Sequence, residues 1–156
     1  TLRNIRIIAW TTIIFGILLF ISDKFKLDKN LKKLNYKSAF IIGLFQILSL
    51  IPGVSRSGIA ITAARLLNYK RVDAAKISFL LSIPILGAVS IFGVKNIIFA
   101  KDLSFTSLNL LSVFTAFIFS YFTIKYFLKY INKFSLSIFV VYRILLGLVL
   151  LILTYL

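Results

Sequence analysis

The stretch best equipped for chemistry is the heptapeptide Pro52-Gly53-Val54-Ser55-Arg56-Ser57-Gly58, set between two apolar segments. Pro52 lacks a backbone donor and Gly53 admits positive φ, so a helix stops here, while Gly58 relieves crowding where the next one begins. That next helix offers unbonded N–H groups and the positive end of its dipole, which together make an anion site. Ser55 and Ser57 add hydroxyl donors, and Arg56 adds a planar fork matched to two phosphate oxygens at once. Thr62, about one turn into the second helix, is expected to face the same site. The plainer reading is an arginine that satisfies helix-end carbonyls. Against it, an arginine inside an apolar region is costly to insert and marks a functional site by default.

Most other chemistries are closed off by what the chain lacks. It has no Cys, His, Glu or Met, and its four acids are Asp23, Asp28, Asp73 and Asp102, at or near the ends of apolar runs. Thiol nucleophiles, Ser-His-Asp triads and the usual zinc ligand sets are therefore excluded, and a paired-carboxylate site within the chain is disfavoured. No metal ligand is assigned. Arg143 has two readings, a side chain that snorkels to the interface or a second phosphate contact. Arg65 is read as solvated or headgroup-paired near the end of its segment. Tyr121, Tyr126, Tyr130 and Tyr142 read as an interfacial belt, Trp10 as an interfacial anchor, and Pro84 as a packing kink rather than a gating hinge.

These residues need a scaffold, and the charge distribution describes one. Of 156 residues, 60% are hydrophobic and 15% charged, with net charge +15; soluble domains average about 25% charged. Runs without charge cover 7–22, 38–55, 77–94 and 103–124, and 134–156 is broken only by Arg143. Transmembrane helices need roughly 17–25 such residues. The chain reads as an all-α polytopic membrane bundle, and the basic residues fall mostly between the runs, which argues against nucleic acid as a partner. The first run lacks the cleavage pattern of a secretory signal and is read as a retained helix.

Predicted spans are 5–22, 74–94, 108–128 and 136–156, with 39–51 and 59–67 as two half-helices around the heptapeptide. At 1.5 Å per residue the halves reach roughly 20 and 14 Å, against a hydrocarbon core of about 30 Å. They form either one broken span or a re-entrant hairpin at 39–67. A hairpin puts twelve Lys and Arg of the loops on one side and four (Arg3, Arg6, Lys95, Lys101) on the other, whereas a single crossing gives eight and eight. Basic residues in short loops favour the cytoplasmic side, so the hairpin is preferred and enters from there.

The run Gly43 to Gly58, with Ser78-Phe79-Leu80-Leu81-Ser82-Ile83-Pro84 and Tyr142-Arg143-Ile144-Leu145-Leu146-Gly147, resembles the undecaprenyl-diphosphatase family linked to bacitracin resistance. The resemblance implies inverted-topology repeats with two re-entrant hairpins, and hydrolysis of undecaprenyl diphosphate to the monophosphate in the bacterial inner membrane, for cell-wall synthesis. It implies Arg56 and Ser55 as catalytic residues. Gly53, Ser57, Gly58, Thr62 and Arg143 are assigned to substrate binding. Two features depart from the family pattern. The glutamate-bearing first repeat has no counterpart, and Ala60 stands where the family usually has Thr. The chain is thus expected to be the C-terminal half to two-thirds of the enzyme, inactive alone, within a single membrane domain, 1–156. A divalent metal, Mg or Ca, is expected with ligands outside this chain. Expected partners are a polyprenyl diphosphate and membrane lipids, with a homodimer left open. The alternatives are a polyprenyl-phosphate carrier or flippase, and a non-catalytic paralogue that binds lipid phosphate.

Overall fold

A computed structural model describes residues 4–25, 29–99 and 107–155, with side chains over 4–25, 29–95 and 111–155. Arg3, Lys26, Asp28, Lys101 and Asp102, and most of the connection 95–107, lie outside the described residues. Among the described residues six α-helices follow one another: α1 (Ile5–Lys24), α2 (Tyr36–Ile47), α3 (Arg56–Leu66), α4 (Arg71–Phe99), α5 (Ser107–Lys133) and α6 (Ser137–Tyr155). Among the described residues there is no strand, only an isolated bridge between Lys29 and Tyr69. Four of the helices, α1, α4, α5 and α6, are long and apolar enough to cross a membrane.

The two half-helices have 12 and 11 residues, so neither reaches across about 30 Å of hydrocarbon. Their outer ends meet. Lys29 N–H donates to Asn68 O and Lys70 N–H to Lys29 O, each at 3.0 Å. Tyr69 Oη donates to Lys33 O at 3.2 Å. The segment between them is therefore a helix-loop-helix hairpin closed at its base. Tyr69, 0% exposed, is the largest side chain closing that end.

Each boundary has a local cause. Asn35 and Ser55 cap α2 and α3, their side-chain oxygens accepting from Ser38 N and Gly58 N, which satisfies donors that a helix start leaves unpaired. The first half-helix begins at Tyr36 rather than residue 39 because Asn35 supplies that cap. α2 then tightens into a 3-10 turn over Leu48–Leu50 and the chain extends at Ile51. α4 runs through Pro84, whose ring removes the donor that would pair with Leu80 O.

α3 is the central rod. Every residue from Gly58 to Arg65 is buried, and Gly58, Ala60, Ala63 and Ala64 are small enough for α1, α2 and α4 to close on it. α6 lies along α1 through a second small-residue seam, in which a Cβ on Gly147 would meet Ile13 and Ala9 O. α4 and α5 contribute their N- and C-terminal portions to this core and expose apolar side chains elsewhere, Phe92, Phe117 and Phe119 among them.

Candidate functional site

The loop between the half-helices is held from α1. Thr11 Oγ1 donates to Pro52 O at 2.7 Å, and Thr12 Oγ1 lies 3.3 Å from Gly53 O. Each threonine also contacts carbonyls of its own helix, Thr12 reaching Ile8 O at 2.7 Å, so the single hydroxyl proton is shared and the Thr11 bond is the firmer latch. Gly53 sits at φ +90°, and a Cβ there would run into Thr11 Oγ1 and lie 2.6 Å from Ile8 O. Only glycine fits both the backbone and the space.

Past the latch, α3 opens on Ser55. Its Oγ accepts from Gly58 N at 3.1 Å and stands 3.3 Å from Ser57 Oγ. The N–H groups of Arg56 and Ser57 have no protein acceptor among the described residues, so the positive end of α3 is available to an anion. Against it lies Arg143, the seventh residue of α6. Arg143 Nη2 donates to Gly53 O at 3.0 Å, and Nη1 is 2.9 Å from where a Cβ on Gly58 would be. Gly58 is thus the gap through which the guanidinium reaches the helix end. Arg143 is 8% exposed. Among the described residues no carboxylate pairs with it, and one hydrogen bond leaves most of its donors unspent.

These groups form one end of a cavity of about 630 Å³. Thr12, Gly53, Ser55, Ser57, Gly58 and Arg143 make its polar end; Phe79, Ile124, Phe127, Phe139, Leu146 and Leu150 are among its apolar walls. The shape suits an amphiphile with an anionic head and a hydrocarbon body.

Of the residues singled out in the sequence, Gly53, Ser55, Ser57, Gly58 and Arg143 come together here. Arg56 and Thr62 do not line the cavity. Ser55, Gly58 and Ile61, spaced by three, mark the cavity face of α3, and Arg56 lies off that stripe with an exposed side chain. Thr62 is 2% exposed and its hydroxyl donates to Gly58 O at 2.8 Å, so it bonds back to its own helix. Snorkelling is not what Arg143 does: its head turns inward to Gly53 O. Tyr142, read as a belt residue, lines the cavity. Thr11 and Thr12 were missed; two adjacent hydroxyls inside an apolar run were the signal.

Arg65 corrects a second reading. It is 3% exposed, not solvated. Its Nη1 donates to Tyr69 O at 3.1 Å and its Nη2 to Asp23 O at 3.0 Å and Phe25 O at 2.6 Å, with Asp23 Oδ1 at 3.7 Å. Asp23 Oδ1 also accepts from Arg71 Nε at 2.6 Å, and Oδ2 accepts from Leu136 N at 3.0 Å. One carboxylate thus ties the end of α1 to α3, α4 and the start of α6.

The donor set of the cavity does not fit a divalent cation. Hydroxyls, backbone N–H groups and a guanidinium recognise an anion, the carbonyl of Gly53 is already taken by Arg143, and the described residues hold no group of three or more His, Cys, Asp or Glu.

The sequence pattern of the Bacitracin resistance protein BacA family matches residues 1–149. An undecaprenyl-diphosphatase of Pelagibacter ubique is 54% identical over 98% of this chain and 60% of its own length. Those of Alcanivorax borkumensis and Saccharophagus degradans are each 43% identical, over 96% and 94% of this chain and 57% and 55% of theirs. The chain therefore spans somewhat more than half the length of the curated relatives it matches. Four helices of membrane-crossing length and this kinship make it a multi-pass protein of the bacterial inner membrane. A match that runs unbroken through the latch on α1, the capped loop and the arginine of α6 has one meaning: the chain belongs to the BacA family.

Proposed function

We propose that this chain supplies the diphosphate-binding part of a membrane hydrolase that converts undecaprenyl diphosphate to undecaprenyl phosphate and phosphate. The observation that carries the reading is Arg143, a buried guanidinium without a carboxylate partner among the described residues, set against the N-terminus of α3 at the polar end of an apolar cavity. The lipid's first units occupy the apolar walls and its remainder lies among the acyl chains. The phosphate oxygens take the N–H groups of Arg56 and Ser57, the hydroxyls of Ser55 and Ser57, and the fork of Arg143. Arg56, exposed between those two serines, supplies a second positive charge from the open side.

In the reaction a water oxygen bonds to the terminal phosphorus while the bond to the bridging oxygen breaks, and the lipid monophosphate leaves. Negative charge grows on the oxygens beside Arg143 and the α3 terminus, which stabilise it without reorganising. Latching of Gly53 O by Thr12 and Arg143 fixes the loop during that change. Proton transfer is left to residues outside this chain, which holds no Glu or His. Within the membrane the hairpin is re-entrant, dipping in from the basic side, as one half of an inverted repeat. Irregular backbone at that depth is sustained because the cavity and α1 surround it. The exposed faces of α4 and α5 leave room for lipid, further chain or a second copy.

The test compares this chain with a relative-length protein that contains it, using undecaprenyl diphosphate in detergent micelles. The longer protein should release phosphate and lose that activity on Arg143→Gln, while the chain alone should bind the lipid and release none. Transport of the lipid between vesicle leaflets without phosphate release would replace the hydrolase with a carrier.

A further inference from the structure

We propose that the opposite, basic end of the bundle holds a separate binding site for the headgroup of an anionic glycerophospholipid. A cavity of about 750 Å³ opens there, sharing no lining residue with the first. Its charged lining is Lys24, Arg65, Lys70 and Arg71 against Asp23 and Asp73. Asp23 is already spent: Oδ1 takes Arg71 and faces Arg65, and Oδ2 takes Leu136 N–H. Asp73 lies in the first turn of α4, where a carboxylate complements the helix dipole. The cavity therefore keeps an excess of positive charge, carried by Lys24 and Lys70, both exposed and outside the Asp23 cluster.

Depth points to the same occupant. Lys24 is the last residue of α1, Arg71 the first of α4, and Asn132 stands one residue before the end of α5. Three membrane-length helices thus finish around this cavity, which puts it at the level of the headgroups. Phe25, Val72 and Ile131 add an apolar side to the lining. A basic pocket with an apolar wall at that depth takes a lipid phosphate whose acyl chains run back along the helices. Inorganic phosphate offers the same charge and no use for the apolar wall.

The chain, purified in neutral detergent, is mixed with phosphatidylglycerol and phosphatidylcholine and examined by native mass spectrometry. It should retain phosphatidylglycerol in preference. The Lys24→Gln/Lys70→Gln double variant should lose that retention about thirtyfold, from two interfacial charges removed, whereas Lys24→Arg/Lys70→Arg and Arg143→Gln should keep it. Equal retention in the double Gln variant, no preference between the lipids, or displacement by millimolar inorganic phosphate would overturn the proposal. Because Arg143→Gln reports on the other cavity, failure here leaves the diphosphate site standing, and the reverse holds.

Discussion

Two buried arginines sit toward opposite ends of the α3 rod and do opposite work. Arg65, at its C-terminal end, meets Asp23 and three carbonyls, so its charge and its donors are largely consumed within the protein. Arg143, against its N-terminal end, has one carbonyl and no carboxylate among the described residues. Both are enclosed to a similar degree, at 3% and 8% exposure. Burial alone therefore does not separate a structural arginine from a ligand-binding one. Pairing does: a neutralised guanidinium joins elements, and an unneutralised one waits for an anion.

The widest separation between the two ends should come from Asp23→Ala. It strips the carboxylate from Arg65 and Arg71 together and removes the acceptor of Leu136 N–H, so stability should fall by about 3–5 kcal/mol. Thermal unfolding in detergent reads this directly. The next effect is smaller in stability and larger in binding. Gly53→Ala puts a side chain at φ +90° against Ile8 O and Thr11, straining the loop by about 1–3 kcal/mol. Lipid-diphosphate affinity, measured at equilibrium, should drop more steeply than the melting temperature.

Gly58→Ala sharpens the contrast further, since the added methyl displaces Arg143 Nη1 and leaves the Arg65 cluster untouched. Affinity should weaken about tenfold, one charge-assisted hydrogen bond's worth, with little change in melting. Smallest of all, Thr11→Val removes the shorter latch to Pro52 O and should cost about 1 kcal/mol. Hydrogen exchange at residues 51–55 should then quicken more than exchange in α3.

Much of the architecture was legible because apolar length and charge spacing obey the bilayer rather than the fold. The halves around Pro52 are visible as segments too short to span, and the tally of basic residues favours a hairpin; in the fold, Lys29 and Tyr69 join the outer ends of the two halves. Gly53, Ser55, Ser57 and Gly58 could be read because capping and turn chemistry is local. Thr62 is assigned to the site by nearness along the chain, whereas its hydroxyl bonds back to Gly58 O; Arg56 is assigned by its planar fork and by the resemblance, and its side chain is exposed, off the cavity lining. Arg65 reads as solvated or headgroup-paired because its carboxylate partner comes from α1, and nothing in the local sequence announces such a pairing. Arg143 stayed ambiguous for the same reason, being placed by the close seam between α1 and α6 that Gly147 permits.

The central claim is that Arg143 keeps its charge for a ligand. Equilibrium binding of undecaprenyl diphosphate to the chain and to its Arg143→Gln variant, with melting followed on the same samples, tests it most directly. Affinity should fall by at least about tenfold, as expected for a hydrogen bond to a charged group, while melting stays close to that of the parent, since Thr11 still latches the loop at Pro52 O. Equal affinity in the two proteins would contradict the account, as would a loss of binding that only mirrors a loss of fold.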